Sequence, residues 1–396
     1  MPEPAVVIAM REFKRGLALR EAAQMQEMAR RWLQVEAALD AEITVLAQEL
    51  LEMRDLGRPV TTGKLYRMER YQRLLAQTQA EFGKYAEYAA QEVTARQAEM
   101  ARQGIEHATQ GIRLSYFPGV GAYFDRLPVA AVEYMAGMAG DGKPVGELLR
   151  LRMVRDARGA PLPGVLERLQ RTLIVGTAQG WNPRKTAGRM KNDLAGGLQQ
   201  ALNIARSEQM RVYREANRAQ YERSGVVSGQ RRLAAHDGRV CPACIADEGT
   251  LYPLDVVIPD HPKGRCTSIP VVVGMPEGEW LGGEAWFAEQ DDATQRSILG
   301  PGRLEAWKAG EFEFGALVTR TEDQTWGAGV IPTPLRELAG GIQKRDVTAQ
   351  ILGAFNAGLD AGEDWISAGE AARILSKQET ARELARRTGM SDVEAG

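Results

Sequence analysis

The chain has 396 residues, and its 50 Lys and Arg against 52 Asp and Glu leave a net charge of -2, which argues against a broadly basic, DNA-coating surface. A chain of this length has room for two to four domains, each with a real core. The start, MPEPAVVIAMREFKRG, has only a brief apolar run, and no stretch approaches the roughly 18 residues of a membrane span, so neither a signal peptide nor a membrane anchor is expected.

Met25, Met28, Trp32, Val35, Leu39, Ile43, Leu46, Leu50 and Met53 recur at steps of three and four, the signature of an amphipathic helix. After the breaker DLGRPVTTG, the positions Leu65, Met68, Leu75, Phe82, Tyr85 and Ala89 continue the period. Residues 1–113 therefore read as a long helical hairpin with arms of about 50 Å. Its stripe is expected to be ordinary bundle core, with a projecting arm as the alternative. Residues 114–225 read as a central helical region. SYFPGVGAYFDRLP is an ordered turn, VAAVEYMAGM and PVGELLRLRMV are short helices, and PLPGVLERLQRTLIVGTAQG is a longer one. Asn182 and Pro183 offer an N-cap and N1 for the next helix, which is expected to stop at Gly196 and Gly197. Another helix follows, from about Leu198 to Arg223, with Gly225 as its stop. On it, Glu208 beside arginines reads as an ion pair or cap in preference to a catalytic carboxylate.

From 226 to 275 the pattern changes to short strands, in GQRRLAAH, TLYPL and SIPVVVG, which predicts a small β unit too small to hold a core alone. Residues 276–330 form a Trp-rich helical extension, in which EAWFAEQDDATQRSIL reads as one helix and GPGR as its break, with Trp286, Ile298, Leu299 and Trp307 as packing residues. Residues 331–396 read as a linker and a helical C-terminal tail, its last helix opened by a Ser367/Glu370 capping box. The fold class expected is mainly α with a small zinc-stapled α+β module.

All three cysteines fall inside VCPACIADEGTLYPLDVVIPDHPKGRC, together with one of the three histidines. Cys241 and Cys244 form a C-x2-C pair, and His261 and Cys266 an H-x4-C pair. Two close pairs of sulfur and nitrogen donors across a turn-rich connector are what a tetrahedral structural Zn2+ site uses. Such a set is closed, with no position left for water or substrate. His236 is the rival for the fourth position. A thioredoxin-like reading of Cys-Pro-Ala-Cys needs a helix after it, which Pro253, Pro259 and Pro262 speak against, and a zinc deaminase needs a glutamate that His236-Asp237-Gly238 does not supply. Three thiolates on a divalent ion leave an excess negative charge, which Arg239, Lys263 and Arg265 are placed to offset.

The run from Asp237 to Cys244, then Glu248-Gly249, His261-Pro262, Arg265-Cys266 and Pro270, resembles the signature of tailed-phage head morphogenesis proteins, the Mu F-like minor head proteins. Ala205-Arg206-Ser207-Glu208 upstream, and Trp286-Phe287, the run Gln295 to Arg303, Trp307 and Gly310 downstream, resemble the flanking segments, so the likeness covers about residues 165 to 320. Members often read H-P-x-C-R-C, and here Gly264 stands in place of the first of those cysteines.

The resemblance implies a non-enzymatic minor capsid protein of the virion, made in the host cytoplasm and acting in procapsid assembly at or near the portal vertex. Its implied partners are the portal protein, other head proteins such as capsid or scaffold, and phage DNA during packaging or ejection. The competing reading is a zinc-braced HNH-type nuclease, for which only His107 and His236 remain as a base outside the zinc set.

Overall fold

The computed structural model describes residues 3–117, 121–153, 163–278, 280–323 and 327–338. The protein is mainly helical with small antiparallel sheets. It divides into two units, the first comprising Met1–Leu233, Leu251–Trp280 and Glu322–Gly329, the second the remainder. Among the described residues no helix is long and apolar enough to cross a membrane.

In the first unit, α1 (Ala5–Asp55) and α3 (Glu69–Leu114) are joined through a turn and the short α2 (Thr62–Arg67). Their 51 and 46 residues make them about 76 and 69 Å long at 1.5 Å per residue, longer than the apolar stripes suggest. The reason is that both helices run on beyond the strong stripe, α1 starting directly after Pro4. After a 3-10 turn at Val129–Met135 come α4 (Val145–Met153), α5 (Pro163–Ala178) and α6 (Pro183–Ser224). Asn182 caps α6, its Oδ1 accepting from the Arg184 N–H at 2.9 Å, and Gly225 closes it in the left-handed region at φ 69°.

Helix α6 is continuous for 42 residues, so Gly196 and Gly197 do not end it. Gly197 serves close packing: a Cβ there would sit 2.9 Å from both Phe82 and Trp32. One core accordingly takes Trp32 and Leu39 from α1, Phe82 and Tyr85 from α3, Leu149 from α4, Leu173 from α5 and Leu194 from α6. The hairpin is thus bundle core packed with α6, and the boundary expected between residues 113 and 114 crosses this shared apolar interior.

His107 of α3 is buried in the same unit. Its ring stacks on Phe13 at a centroid distance of 3.9 Å, and Nδ1 lies 3.0 Å from the Tyr213 hydroxyl. Desolvation, aided by the nearby Arg20 charge, lowers its pKa to about 4. The unfolded chain takes up this proton near pH 6.5 and the folded chain only near 4, so protonation favours unfolding between those values. Stability is therefore full above pH 6.5 and declines as pH falls toward 4, by on the order of 3 kcal/mol in all. Denaturant titrations across this window should show the slope, and His107→Gln should flatten it.

Strand β1 (Val227–Leu233) opens a three-stranded antiparallel sheet. It is followed by α7 (Pro242–Ala246), β2 (Leu251–Tyr252) and β3 (Thr267–Val272), in the spatial order β2-β1-β3. Gln230 faces Tyr252 on one side, and Arg231 faces Ile269 on the other. Leu233 and Ile269 pack on Val7 and Met10 of α1, while Val227 and Val272 pack on Ala108, Ile112 and Tyr221. The strands expected from residues 226–275 are present, but they share an apolar core with the long helices and do not stand as a separate module.

The second unit contains α7, α8 (Gly283–Ala288), α9 (Asp292–Leu299) and α10 (Pro301–Lys308). The single helix expected over 284–299 is split because Asp291 caps α9, its carboxylate accepting from the Thr294 N–H at 2.7 Å. Gly300, at φ 76°, and Pro301 at N1 separate α9 from α10. Phe287 is fully buried between Trp307 and Phe314, each ring centroid 5.2 Å away. Ile298 and Leu299 are also buried, whereas Trp286 and Trp307 are half-buried.

A β-hairpin, β4 (Val318–Asp323) and β5 (Gly327–Pro332), occupies the end of the region read as helical extension, and α11 (Leu335–Leu338) follows it. The alternation in VTRTE is its sequence signal. The C-terminal helices expected near residues 349–359 and 367–387 lie outside the described residues.

Candidate metal centre

The approach to the first cysteine pair is a tight turn. The Asp237 carboxylate accepts from the Arg239 N–H at 2.9 Å, and the Asp237 carbonyl accepts from Val240 at 3.0 Å. Cys241 then caps α7, with Pro242 at N1, and Cys244 lies within that helix. A one-turn helix does follow Cys241, contrary to the expectation drawn from the downstream prolines. It ends at Ala246.

The second pair sits on another turn, His261-Pro262-Lys263-Gly264. The His261 carbonyl accepts from the Gly264 N–H at 2.8 Å, with Pro262 second and Lys263 third at φ 66°. That is the type II arrangement, in which the third residue must adopt the left-handed region. The Lys263 N–H is held by the Ser207 hydroxyl of α6 at 2.9 Å. The His261 ring places Nδ1 2.9 Å from the Pro262 carbonyl. A carbonyl can only accept, so Nδ1 carries the proton and Nε2 keeps its lone pair, the tautomer a metal-binding imidazole needs.

Cys241, Cys244 and His261 offer ligand atoms that all lie within 4.8 Å of one another, and so do Cys244, Asp260 and Cys266. Cys241, Cys244 and His261 could hold a metal ion. The four residues singled out from the sequence thus fall into two groups sharing Cys244, and the structure adds Asp260. His236 joins neither group. Its Nε2 lies 2.5 Å from Glu248 Oε2, and its ring stacks on Trp286 at 4.5 Å.

Asp260 is the residue that spacing does not reveal. Its side chain is 6% exposed, and Oδ2 accepts from Arg214 Nη1 at 2.5 Å. Oδ1 accepts from Arg232 Nη2 at 3.4 Å and from the His261 N–H at 2.9 Å. Burial alone would raise its pKa, but the Arg214 and Arg232 charges outweigh that and hold the carboxyl below the ordinary aspartate value. Arg232 is itself fully buried in β1 and donates to the Pro259 carbonyl. The adjacent Arg231 pairs outward with Glu277, as strand alternation requires. An arginine on the inward face of a short strand is the signal that the sequence carries.

Gly264 has a local reason in this geometry. A Cβ built there would lie 2.0 Å from the Asp260 carboxylate. No side chain fits unless Asp260 leaves its arginines. Gly264→Cys, which restores the cysteine that related signatures carry, is expected to lower stability by about 1–3 kcal/mol through overpacking. A fall in the thermal midpoint would show it, and an unchanged midpoint would count against the placement of Asp260.

Glu208 lines a cleft of about 600 Å³ in the first unit, with Tyr134, Arg211, Arg214, Asp260 and His261 among the other lining residues. Its carboxylate is 2% exposed, pairs with Arg211 Nε at 2.8 Å and accepts from the Gly140 N–H at 3.3 Å. Arg206 pairs with Glu21 of α1 at 2.8 Å. These are fold contacts between the helix and its neighbours.

No family model, no curated protein and no solved structure matches this chain.

Proposed function

We propose that the chain is a structural head-morphogenesis protein of a tailed phage, acting in procapsid assembly at or near the portal vertex, with a structural zinc held by Cys241, Cys244, His261 and Cys266. The observation that carries the zinc reading is the donor set: the Cys241, Cys244 and His261 ligand atoms lie within 4.8 Å of one another, and Cys266 joins through Cys244. The protonated Nδ1 of His261, which leaves Nε2 for a metal, supports it. Three thiols and one imidazole make a complete tetrahedron, so the metal braces the turns and does no chemistry. The assembly role rests on the sequence resemblance over about residues 165 to 320.

Partners under this reading are the portal protein, other head proteins and, during packaging or ejection, the phage DNA. Pull-down of the portal protein encoded in the same phage locus, and the protein's presence in procapsids, are the expected results. Absence from purified heads, with metal-dependent DNA cleavage that is lost in His236→Ala, would replace this reading with the nuclease.

A further inference from the structure

Two arginines around one aspartate sum to a net charge of +1 in a place almost without solvent: Arg232 is 0% exposed, Arg214 14% and Asp260 6%. A buried charge without an opposing one costs several kcal/mol, so such a cluster calls for a negative partner beside it. A divalent ion with three thiolates and a neutral imidazole carries -1, the charge that would balance it. We propose that Arg214 and Arg232, bridged by Asp260, are the counter-charge and positioning shell of the metal centre, an inference that rests on the zinc reading above.

Three contacts give the shell its reach. Arg214 donates to the Cys266 carbonyl at 3.4 Å, Arg232 to the Pro259 carbonyl, and Asp260 accepts the His261 N–H at 2.9 Å. An Asp260 oxygen lies within 4.8 Å of the Cys244 and Cys266 sulfurs. Both of its oxygens are nevertheless engaged by the arginines and the backbone, so Asp260 acts from outside the ligand set. The arginines that sequence proximity assigns to this role, Arg239 and Arg265, flank the ligands along the chain; Arg214 and Arg232 come from α6 and β1.

The test is the rate at which the intact protein gives up zinc to a chelating dye. Arg214→Gln, at a partly accessible position, makes the shell neutral and should release zinc roughly tenfold faster, the scale of outer-shell substitutions. Arg214→Lys keeps the charge and should restore retention. Asp260→Asn adds positive charge while its amide oxygen can still accept from His261, so it should release zinc no faster than the native protein. Arg232→Met should behave like Arg214→Gln, and if it does not fold the Arg214 pair still decides.

A merely structural cluster would behave differently. Asp260→Asn would then weaken retention as much as Arg214→Gln, and that result, or an Arg214→Gln indistinguishable from native, overturns the proposal. A native protein that purifies and reconstitutes without stoichiometric zinc overturns the metal reading itself, and this inference with it. Stoichiometric zinc whose release ignores these charges overturns only the inference.

Discussion

One equivalent of zinc per chain is expected in the purified protein by elemental analysis, and Cys241→Ser or Cys266→Ser should each reduce it to a small fraction. The effect is large because structural zinc in small finger peptides contributes about 10–16 kcal/mol of apparent binding free energy, and losing one of four donors removes much of it. The structural consequence should be local. The sheet strands bury Leu233, Ile269, Val227 and Val272 against the long helices, so far-UV circular dichroism should keep its helical signal. Residues 234–250 and 261–266, held by short turns and few apolar contacts, should become open to proteolysis and rapid amide exchange. Retention of full zinc in both variants would show that the two cysteine-bearing turns do not share a metal.

The second large effect is expected at Gly104, where α3 and α6 approach closely. A Cβ there would lie 2.7 Å from the Ala216 Cβ and 2.7 Å from the Tyr213 carbonyl oxygen. Replacing a helical glycine ordinarily gains up to about 1 kcal/mol of helix propensity. Here the contacts are a neighbouring helix's backbone and a short side chain, neither of which can swing aside. Gly104→Leu must part the two helices, and the overpacking cost, about 3 kcal/mol or more, exceeds the propensity gain. Gly83 on the same helix is the control, with nothing within 4 Å of the place a Cβ would take, and Gly83→Ala should stabilise by about 0.5–1 kcal/mol. If denaturant titrations gave both substitutions the same sign, the packing of α3 on α6 would have to be redrawn.

Both expectations depend on features with different legibility in the sequence. The apolar stripes through Trp32 and Phe82, the Asn182-Pro183 helix start and the Gly225 stop are local: each is decided by periodicity or by one residue's backbone preference. The short strands and the cysteine and histidine pairs are legible for the same reason, since the donors lie within a few residues of each other. The run EAWFAEQDDATQRSIL reads wrongly as one helix because its period continues through Asp291, while the capping hydrogen bond that divides it is a matter of geometry. Gly196 and Gly197 mislead in the opposite sense: glycine stops a helix only when nothing else holds it, and Trp32 and Phe82 press against α6 at that point.

The amino-acid sequence by itself determined that this is a mainly helical protein with a cluster of soft donors at metal spacing, because helix periodicity and ligand spacing are properties of near neighbours along the chain. The tertiary structure alone decided that the hairpin, α6 and the sheet share one interior, that His236 is turned to Glu248 and Trp286, and that Arg214, Arg232 and Asp260 surround the turn bearing His261. Those arginines stand 46 and 28 residues from Asp260. Their pairing follows from the low-dielectric interior in which the folded chain encloses them, and no local pattern encodes it.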